Sequence, residues 1–233
     1  MYAVASGQQN SIKQLSQAGA DTKTQNDAGE SLLHVAIQRG RKEIIYQVLQ
    51  MNPPIGVTDS HGNTVLHLAA TNGLVDVSGE LIWQMKSLVK IGNRRHETPL
   101  HHAVKAKSVE LVRLFLHHEA FAESHDENEK TPLHYAVEVE SQEIVELLLD
   151  ESAAPCSRDK DGKMPLHYAV DLASKGIIQA LAESMPSVDA KDKNKQTPLH
   201  YAVKSANPEV VQLLLAHKAT ANTKDRAGKV PLE

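Results

Sequence analysis

The sequence predicts an all-α solenoid of stacked helix-turn-helix units with protruding β-turn or hairpin loops. Three observations predict it. First, a short block recurs: Thr98-Pro99-Leu100-His101-His102-Ala103-Val104 returns as Thr131 to Val137, Met164 to Val170 and Thr197 to Val203. Weaker copies run from Ser31 to Ala36 and from Thr64 to Ala70, and the block histidines are spaced 33, 34, 33, 33 and 33 residues apart. Only an internal repeat explains that regularity. Second, hydrophobic residues make up 41% of the 233-residue chain but aromatics only 3%. The core must therefore come from Leu, Ile, Val and Ala, which suits closely packed helices. Third, the apolar residues within each period recur at helical spacing, and polar turn-forming residues separate the periods.

Taken in order along one period, each element has a physical reason. Thr131 caps a helix by accepting from a free backbone N–H, and Pro132 at the first helical position gives up no needed donor. Leu133, Ala136 and Val137 then form one apolar face, and the small Ala136 lets the next helix come close. Glu143 opens a second helix with Ile144, Val145, Leu147 and Leu148 on its apolar face; Glu209 to Leu215 repeats that pattern. The segment Asp126-Glu127-Asn128-Glu129-Lys130 is polar and turn-rich and projects as a loop. No unit of loop, helix, turn and helix buries its apolar face alone, so the units must stack.

This period and block resemble those of the ankyrin-repeat family over essentially the whole chain. The resemblance implies one domain over 1–233. Its repeats are a partial one at 1–25, full ones at 26–58, 59–92, 93–125, 126–158, 159–191 and 192–224, and a partial one at 225–233. It also implies that His34, His67, His101, His134, His167 and His200 are structural hydrogen-bonders tying loop to helix. The implied function is a non-catalytic protein–protein interaction module, a scaffold or adaptor. It would hold a partner protein or peptide in a concave groove lined by loop tips and the exposed side of the first helices. The alternative is a targeting or regulatory segment of a larger enzyme or effector whose catalytic domain lies outside this chain.

Carried over position by position, that surface includes Arg94, Arg95 and Lys105, then Glu127, Lys130, Glu138 and Val139. Further along it takes in Lys160, Lys163, Leu172, Lys193 and Lys204. From residue 93 onward the loop tips are mostly basic, whereas the second helices carry Glu143, Glu146, Asp150 and Glu183. The net charge of −4 thus conceals a basic edge and an acidic back. An acidic or phosphorylated partner segment fits such an edge; lysines that merely keep loops soluble are the competing reading. Arg94 and Arg95 with Lys105 form the sharpest cluster, because arginine makes forked bonds to carboxylate and phosphate. Val139 and Leu172 stand beside the charges as apolar anchors.

Several departures mark individual repeats. Met164 stands where the others place a capping Thr, removing an interaction of about 0.5–2 kcal/mol. The repeat from Asp59 has one extra residue, carries Gly79 in its second helix and follows Asn52-Pro53-Pro54, so irregular geometry is expected over 50–92. Met1 and Glu233 both occupy the histidine position of the block, which suggests an array continuing beyond this sequence. Ser11 and Ser16 replace Ile and Leu in the first unit, a polar substitution suited to an end.

The remaining composition bounds other functions. Of the thirteen histidines, the seven outside the block include the adjacent His117 and His118, expected on different helix faces; neither has a zinc-like spacing to Cys or carboxylate. Cys156 lies in a turn without a nearby base and, as a lone cysteine, suits a reducing, cytoplasmic setting. No phosphate loop or dinucleotide fingerprint occurs, and no cofactor or metal is expected. Nucleic acid is disfavoured by the negative charge and the lack of stacking aromatics in the loops. Apolar runs are too short for membrane insertion, and a monomer is expected.

Overall fold

Each recurring block starts a helix because its first residue is held extended while its third-following histidine folds back onto it. The structure, a computed structural model, describes residues 1–232. The chain divides into two compact units, the first running from Met1 to Phe121 and the second beginning at Ala122. In the first, helices pair as α1 (Tyr2–Ala5) with α2 (Gln9–Gln17) and α3 (Leu32–Arg39) with α4 (Lys42–Leu49). Next come α5 (Val65–Thr71) with α6 (Val75–Gln84), and α7 (Pro99–Lys105) with α8 (Val109–His117). In the second, the pairs are α9 (Pro132–Glu138) with α10 (Gln142–Asp150), α11 (Pro165–Asp171) with α12 (Lys175–Glu183), and α13 (Pro198–Lys204) with α14 (Pro208–Ala216). First helices pack on first helices, as α3 on α5 and α9 on α11, and second helices pack on second, as α6 on α8 and α10 on α12.

The core lies between these rows. Leu66, Leu100, Leu133 and Leu166 from the first helices are fully buried, as are Ile45, Leu81, Leu111, Leu148 and Leu181 from the second. The small residues Ala69, Ala103, Ala136, Ala169 and Ala202 have no exposed surface, as close helix packing requires. Among the described residues no helix is long and apolar enough to cross a membrane.

The block histidines bind in two directions. In every block the N–H of the capping residue donates to histidine Nδ1, at 3.3 Å for Ser31–His34, 3.0 Å for Thr98–His101 and 3.1 Å for Thr197–His200. An Nδ1 that accepts from a backbone N–H leaves the proton on Nε2. That Nε2 donates to a backbone carbonyl in the loop of the next repeat: His34 to Asn63 at 3.0 Å, His67 to Glu97 at 3.0 Å and His134 to Lys163 at 3.2 Å. His167 reaches Gln196 and His200 reaches Lys229, each at 3.3 Å. The resemblance implied a tie between loop and helix; the structure adds that the tie joins one repeat to the next. Met164 keeps half of this arrangement, since its N–H still donates to His167 Nδ1 at 3.1 Å. It loses the hydroxyl that Thr131 and Thr197 bring to the imidazole, and its side chain packs in the core instead.

Two sequence expectations meet specific outcomes. The region 50–92 is irregular: α6 passes through Gly79 unbroken, and Met85 ends it at φ −150°. A 3-10 turn over Lys86–Lys90 then drives Leu88 and Val89 into the core, while Trp83 stays 83% exposed. Lys86 and Lys90 both pair with Glu119, tying the turn to the next repeat. His117 and His118, by contrast, do not point apart. Their rings meet edge to face at 5.3 Å, because α8 ends at His117 and the backbone turns at His118. Among the described residues no group of three His, Cys, Asp or Glu side chains is placed to hold a metal ion.

Burial lowers the proton affinity of His34, His134 and His167, and brings His67 from 6.5 to about 4, with the neighbouring His102 adding to the effect. The unfolded chain therefore binds more protons than the folded one once the pH drops below the ordinary histidine value. Stability is full above about 6.5 and is lost as the pH falls toward 4. Urea midpoints should drop between pH 7.5 and 5, with His67 alone accounting for on the order of 3 kcal/mol once its loss is complete. A midpoint unchanged over that range would refute the buried neutral imidazoles. Gly79 has open space where a Cβ would go, so Gly79→Ala should raise stability by roughly 0.5–1 kcal/mol in the same titration; a lower midpoint would contradict this.

Candidate binding face

The loops ahead of the first helices are built on one recurring acceptor. Asp59 Oδ1 takes the N–H groups of His61 and Asn63, both at 2.8 Å; Asp126, Asp159, Asp192 and Asp225 each bind the residues two and four positions on in the same way. Asn26 and Asn93 do likewise through their amide oxygens. A side chain that satisfies two backbone donors fixes a tight turn without a long strand. Neighbouring loops then join by backbone bonds, Ser60 N–H to Ala28 O at 2.8 Å, Arg94 to His61 at 3.0 Å, Lys160 to Asn128 at 2.9 Å and Lys193 to Asp161 at 3.0 Å. Gly62 shows how close this approach is: at φ +80° a Cβ would lie 2.8 Å from Arg94 N.

In the second unit the same aspartates organise the surface through tyrosine. Tyr135, Tyr168 and Tyr201, one in each first helix, donate their hydroxyls to Asp126, Asp159 and Asp192. Burial and the Asp159 carboxylate push Tyr168 far above the ordinary phenol range, and burial with Asp192 does the same for Tyr201. Lysines fill the spaces between the rings. Lys130 Nζ lies 5.7 Å from the Tyr135 ring centre and 4.8 Å from that of Tyr168, and Lys163 lies 5.3 Å from Tyr168 and 5.0 Å from Tyr201. The result is an alternating column of cations and aromatic faces.

The repeat from Asn93 in the first unit departs from this column at all three positions. Asn93 stands where the others have Asp, Glu97 where they have Lys or Gln, and His102 where they have Tyr. Glu97 is 7% exposed and both its oxygens are engaged, Oε1 by Lys105 at 2.6 Å and Oε2 by His102 at 3.2 Å. The hydrogen bond from His102, joined by that from Lys105, holds its carboxyl down to about 2 against the opposing effect of burial. His102 Nδ1 contacts the Thr71 hydroxyl at 2.8 Å, and its ring meets His67 edge to face at 5.1 Å. A depression of about 390 Å³ lies here among Ser60, His61, Asn63, Arg94, Arg95 and His102.

The sequence-derived residues thus fall into distinct surroundings. Arg94 and Arg95 are exposed at the rim of the depression, while the Lys105 ammonium is committed to Glu97 below them. Lys130 pairs with Glu138 as well as stacking on tyrosine, so it and Lys163 are half-buried rather than projecting tips. Glu127, Lys160 and Lys193 are exposed on loops, and Lys204 is exposed at the end of α13. Val139 and Leu172 cap α9 and α11; Val139 is half-buried and Leu172 is 41% exposed. Glu143, Glu146, Asp150 and Glu183 are exposed on α10 and α12. Sequence reasoning missed the aspartate–tyrosine bonds and the lysine column, although Asp, Lys and Tyr recur at fixed offsets in Asp126/Lys130/Tyr135 and Asp159/Lys163/Tyr168.

Comparison with known proteins places this geometry. The family model described as ankyrin repeats (3 copies) matches residues 1–88, 79–159 and 151–225. The nuclear factor NF-kappa-B p105 subunit of Gallus gallus is 30% identical over 93 residues, covering 39% of this chain and 10% of that protein. Diacylglycerol kinase zeta of Rattus norvegicus is 30% identical over 103 residues, covering 43% of this chain and 11% of that protein. The matched stretch therefore spans about a tenth of the length of these relatives. Among solved structures, the ankyrin repeat domain of Bcl-3, titled a unique member of the IkappaB protein family, superposes with a TM-score of 0.78 at 26% identity, covering 90% of this chain and 94% of that one.

The tyrosine hydroxyls carry a measurable share of the loop's rigidity. Tyr168→Phe leaves one buried aspartate oxygen without its donor and should lower unfolding free energy by about 1–3 kcal/mol. An unchanged urea midpoint would show that the hydroxyl contributes nothing.

Proposed function

The chain belongs to the ankyrin-repeat family, a fold of protein-interaction modules, and from that premise we propose that its loop and first-helix face binds an acidic segment of a partner protein. The observation that carries this reading is the state of the charges around Arg94 and Arg95. Asp59 and Glu97, which line or underlie the same depression, are bound by other donors, and the exposed Arg94 with Arg95 beside it places positive charge at the rim. The second unit carries on its own a lysine–tyrosine column that is cationic and aromatic together, and the exposed Leu172 at the end of α11 offers an anchor for an apolar partner side chain. We further propose that residues 1–233 act as one recognition domain with the seven repeat boundaries set by the 33-residue period. In a second reading the same face serves as a targeting segment of a larger enzyme, a role favoured by the match to a protein named as a kinase over 11% of its length.

The test is capture of partners from cell lysate on the immobilised chain and on an Arg94→Glu, Arg95→Glu variant with unchanged helical circular dichroism. Lys105 is left intact because Glu97 depends on it. A partner retained by the native chain and reduced at least tenfold on the variant is expected. Equal retention would remove the arginine rim from the recognition surface.

A further inference from the structure

We propose that the second unit reads an extended acidic segment whose carboxylates recur at every third residue, and that it does so through Lys160, Lys193 and Arg226. The proposal rests on the binding-face reading above and assigns to that face the spacing and conformation of its ligand. The three cations hold the same place in successive loops, each directly after the aspartate that organises its turn. All three are exposed, and among the described residues none of their side chains has a partner. Their backbone is fixed as well. The Lys160 N–H donates to Asn128 O at 2.9 Å, that of Lys193 to Asp161 O at 3.0 Å and that of Arg226 to Asn194 O at 2.8 Å. One turn geometry repeated in register sends the three side chains out the same way, so they form a row. The row begins at Lys160, since the aligned places before it hold Asp27, Ser60, Arg94 and Glu127.

Two features of the row decide what it holds. First, its loops offer no main-chain donor. Over residues 159–163 the N–H groups of Asp161 and Lys163 go to Asp159 Oδ1, those of Asp159 and Gly162 close the turn, and that of Lys160 reaches the previous loop. Residues 192–196 and 225–229 repeat this assignment at every N–H. A partner strand finds no edge to extend, so the ligand binds through its side chains alone. Second, the interval is set. Helices α9, α11 and α13 pack in succession behind the loops, and packed helices stand about 8–10 Å apart. The bond from Arg226 to Asn194 continues that interval to the third loop.

A polyproline II segment rises about 3.1 Å per residue with three residues per turn, so every third side chain lies on one face about 9 Å from the last. A β-strand instead turns residues three apart to opposite faces. Asp161, whose carbonyl receives the Lys193 N–H, is itself exposed, and its carboxylate repels an uninterrupted run of acids. Uncharged residues between the acidic ones avoid that repulsion. A single exposed ion pair contributes little. Three on one chain in matching register reinforce one another, because the second and third contacts form intramolecularly.

Fluorescence anisotropy with labelled peptides on the native chain, at about 0.15 M salt to screen unspecific attraction, tests the row. The peptides are three repeats of Glu-Pro-Pro, the same nine residues with the glutamates adjacent, three repeats of Gln-Pro-Pro, and an alanine-based helix with three glutamates seven residues apart. The spaced peptide should bind saturably and at least fivefold tighter than its rearranged isomer. In nuclear magnetic resonance it should shift the amides of Lys160, Lys193 and Arg226. A Lys160→Gln, Lys193→Gln, Arg226→Gln variant, with unchanged helical circular dichroism, should bind it at least tenfold more weakly. Equal binding by the rearranged or the glutamine peptide, or unchanged affinity of the triple variant, would overturn the row. Tighter binding of the helical peptide would overturn the extended conformation. If the spaced peptide fails to bind while the Arg94→Glu, Arg95→Glu variant loses its protein partner, the row fails and the binding face stands. If that variant keeps its partner while the spaced peptide binds as described, the arginine rim fails and the row stands.

Discussion

A neutral imidazole buried between two backbone groups is the interaction on which the stack depends. Its Nδ1 accepts from the first residue of a helix, and its Nε2 donates to a loop carbonyl 29 or 30 residues further on. One side chain therefore satisfies an orphan helix donor and an orphan loop acceptor, and does so across the boundary between repeats. Apolar burial supplies most of the stabilisation in such a fold, but it is non-directional. The imidazole fixes the offset between neighbouring loops and helices. It does so only while uncharged on Nδ1, so the order of the stack and its acid sensitivity have a common origin.

The loops carry that order outward. An aspartate or asparagine at each loop start binds two backbone N–H groups, and within each unit neighbouring loops are joined by a backbone bond. The loops are thus a rigid platform rather than a set of mobile tips. On such a platform a single substitution changes the surface without disturbing the turn. Tyrosine over aspartate gives a place for a stacked lysine; where histidine lies over asparagine, with Glu97 behind it, a depression with arginines at its rim is found. Identical backbone geometry thereby gives two chemically different surfaces.

The irregular repeat from Asp59 shows what the fold tolerates. Its second helix ends at Gln84, and a 3-10 turn takes over to bury Leu88 and Val89. The extra residue is absorbed on the outer side, where no loop-to-loop bond must be kept in register. The inner side is unaffected, with Arg94 still bonded to His61 and His67 to Glu97. Insertions are accommodated where contacts are apolar and adaptable, away from the ladder of directional bonds.

The sequence alone determined the repeat length, the helix starts and the apolar faces. These depend on local rules: a capping hydroxyl ahead of proline, small residues at fixed spacing, and leucines at helical period. It also placed Arg94, Arg95 and Leu172 at exposed positions of the loop and first-helix side. Tertiary structure decided which charges remain available. Lys105, Lys130 and Lys163 look like Arg94 in sequence, yet Glu97, Glu138 and the tyrosine rings claim them. The contacts behind that difference are of two kinds. Lys130 lies against Tyr168, 38 positions away in the next repeat, and no local window of sequence contains such a pair. Glu97 is only eight positions from Lys105, but what makes it a strong partner is its burial, and burial is a property of the packed stack.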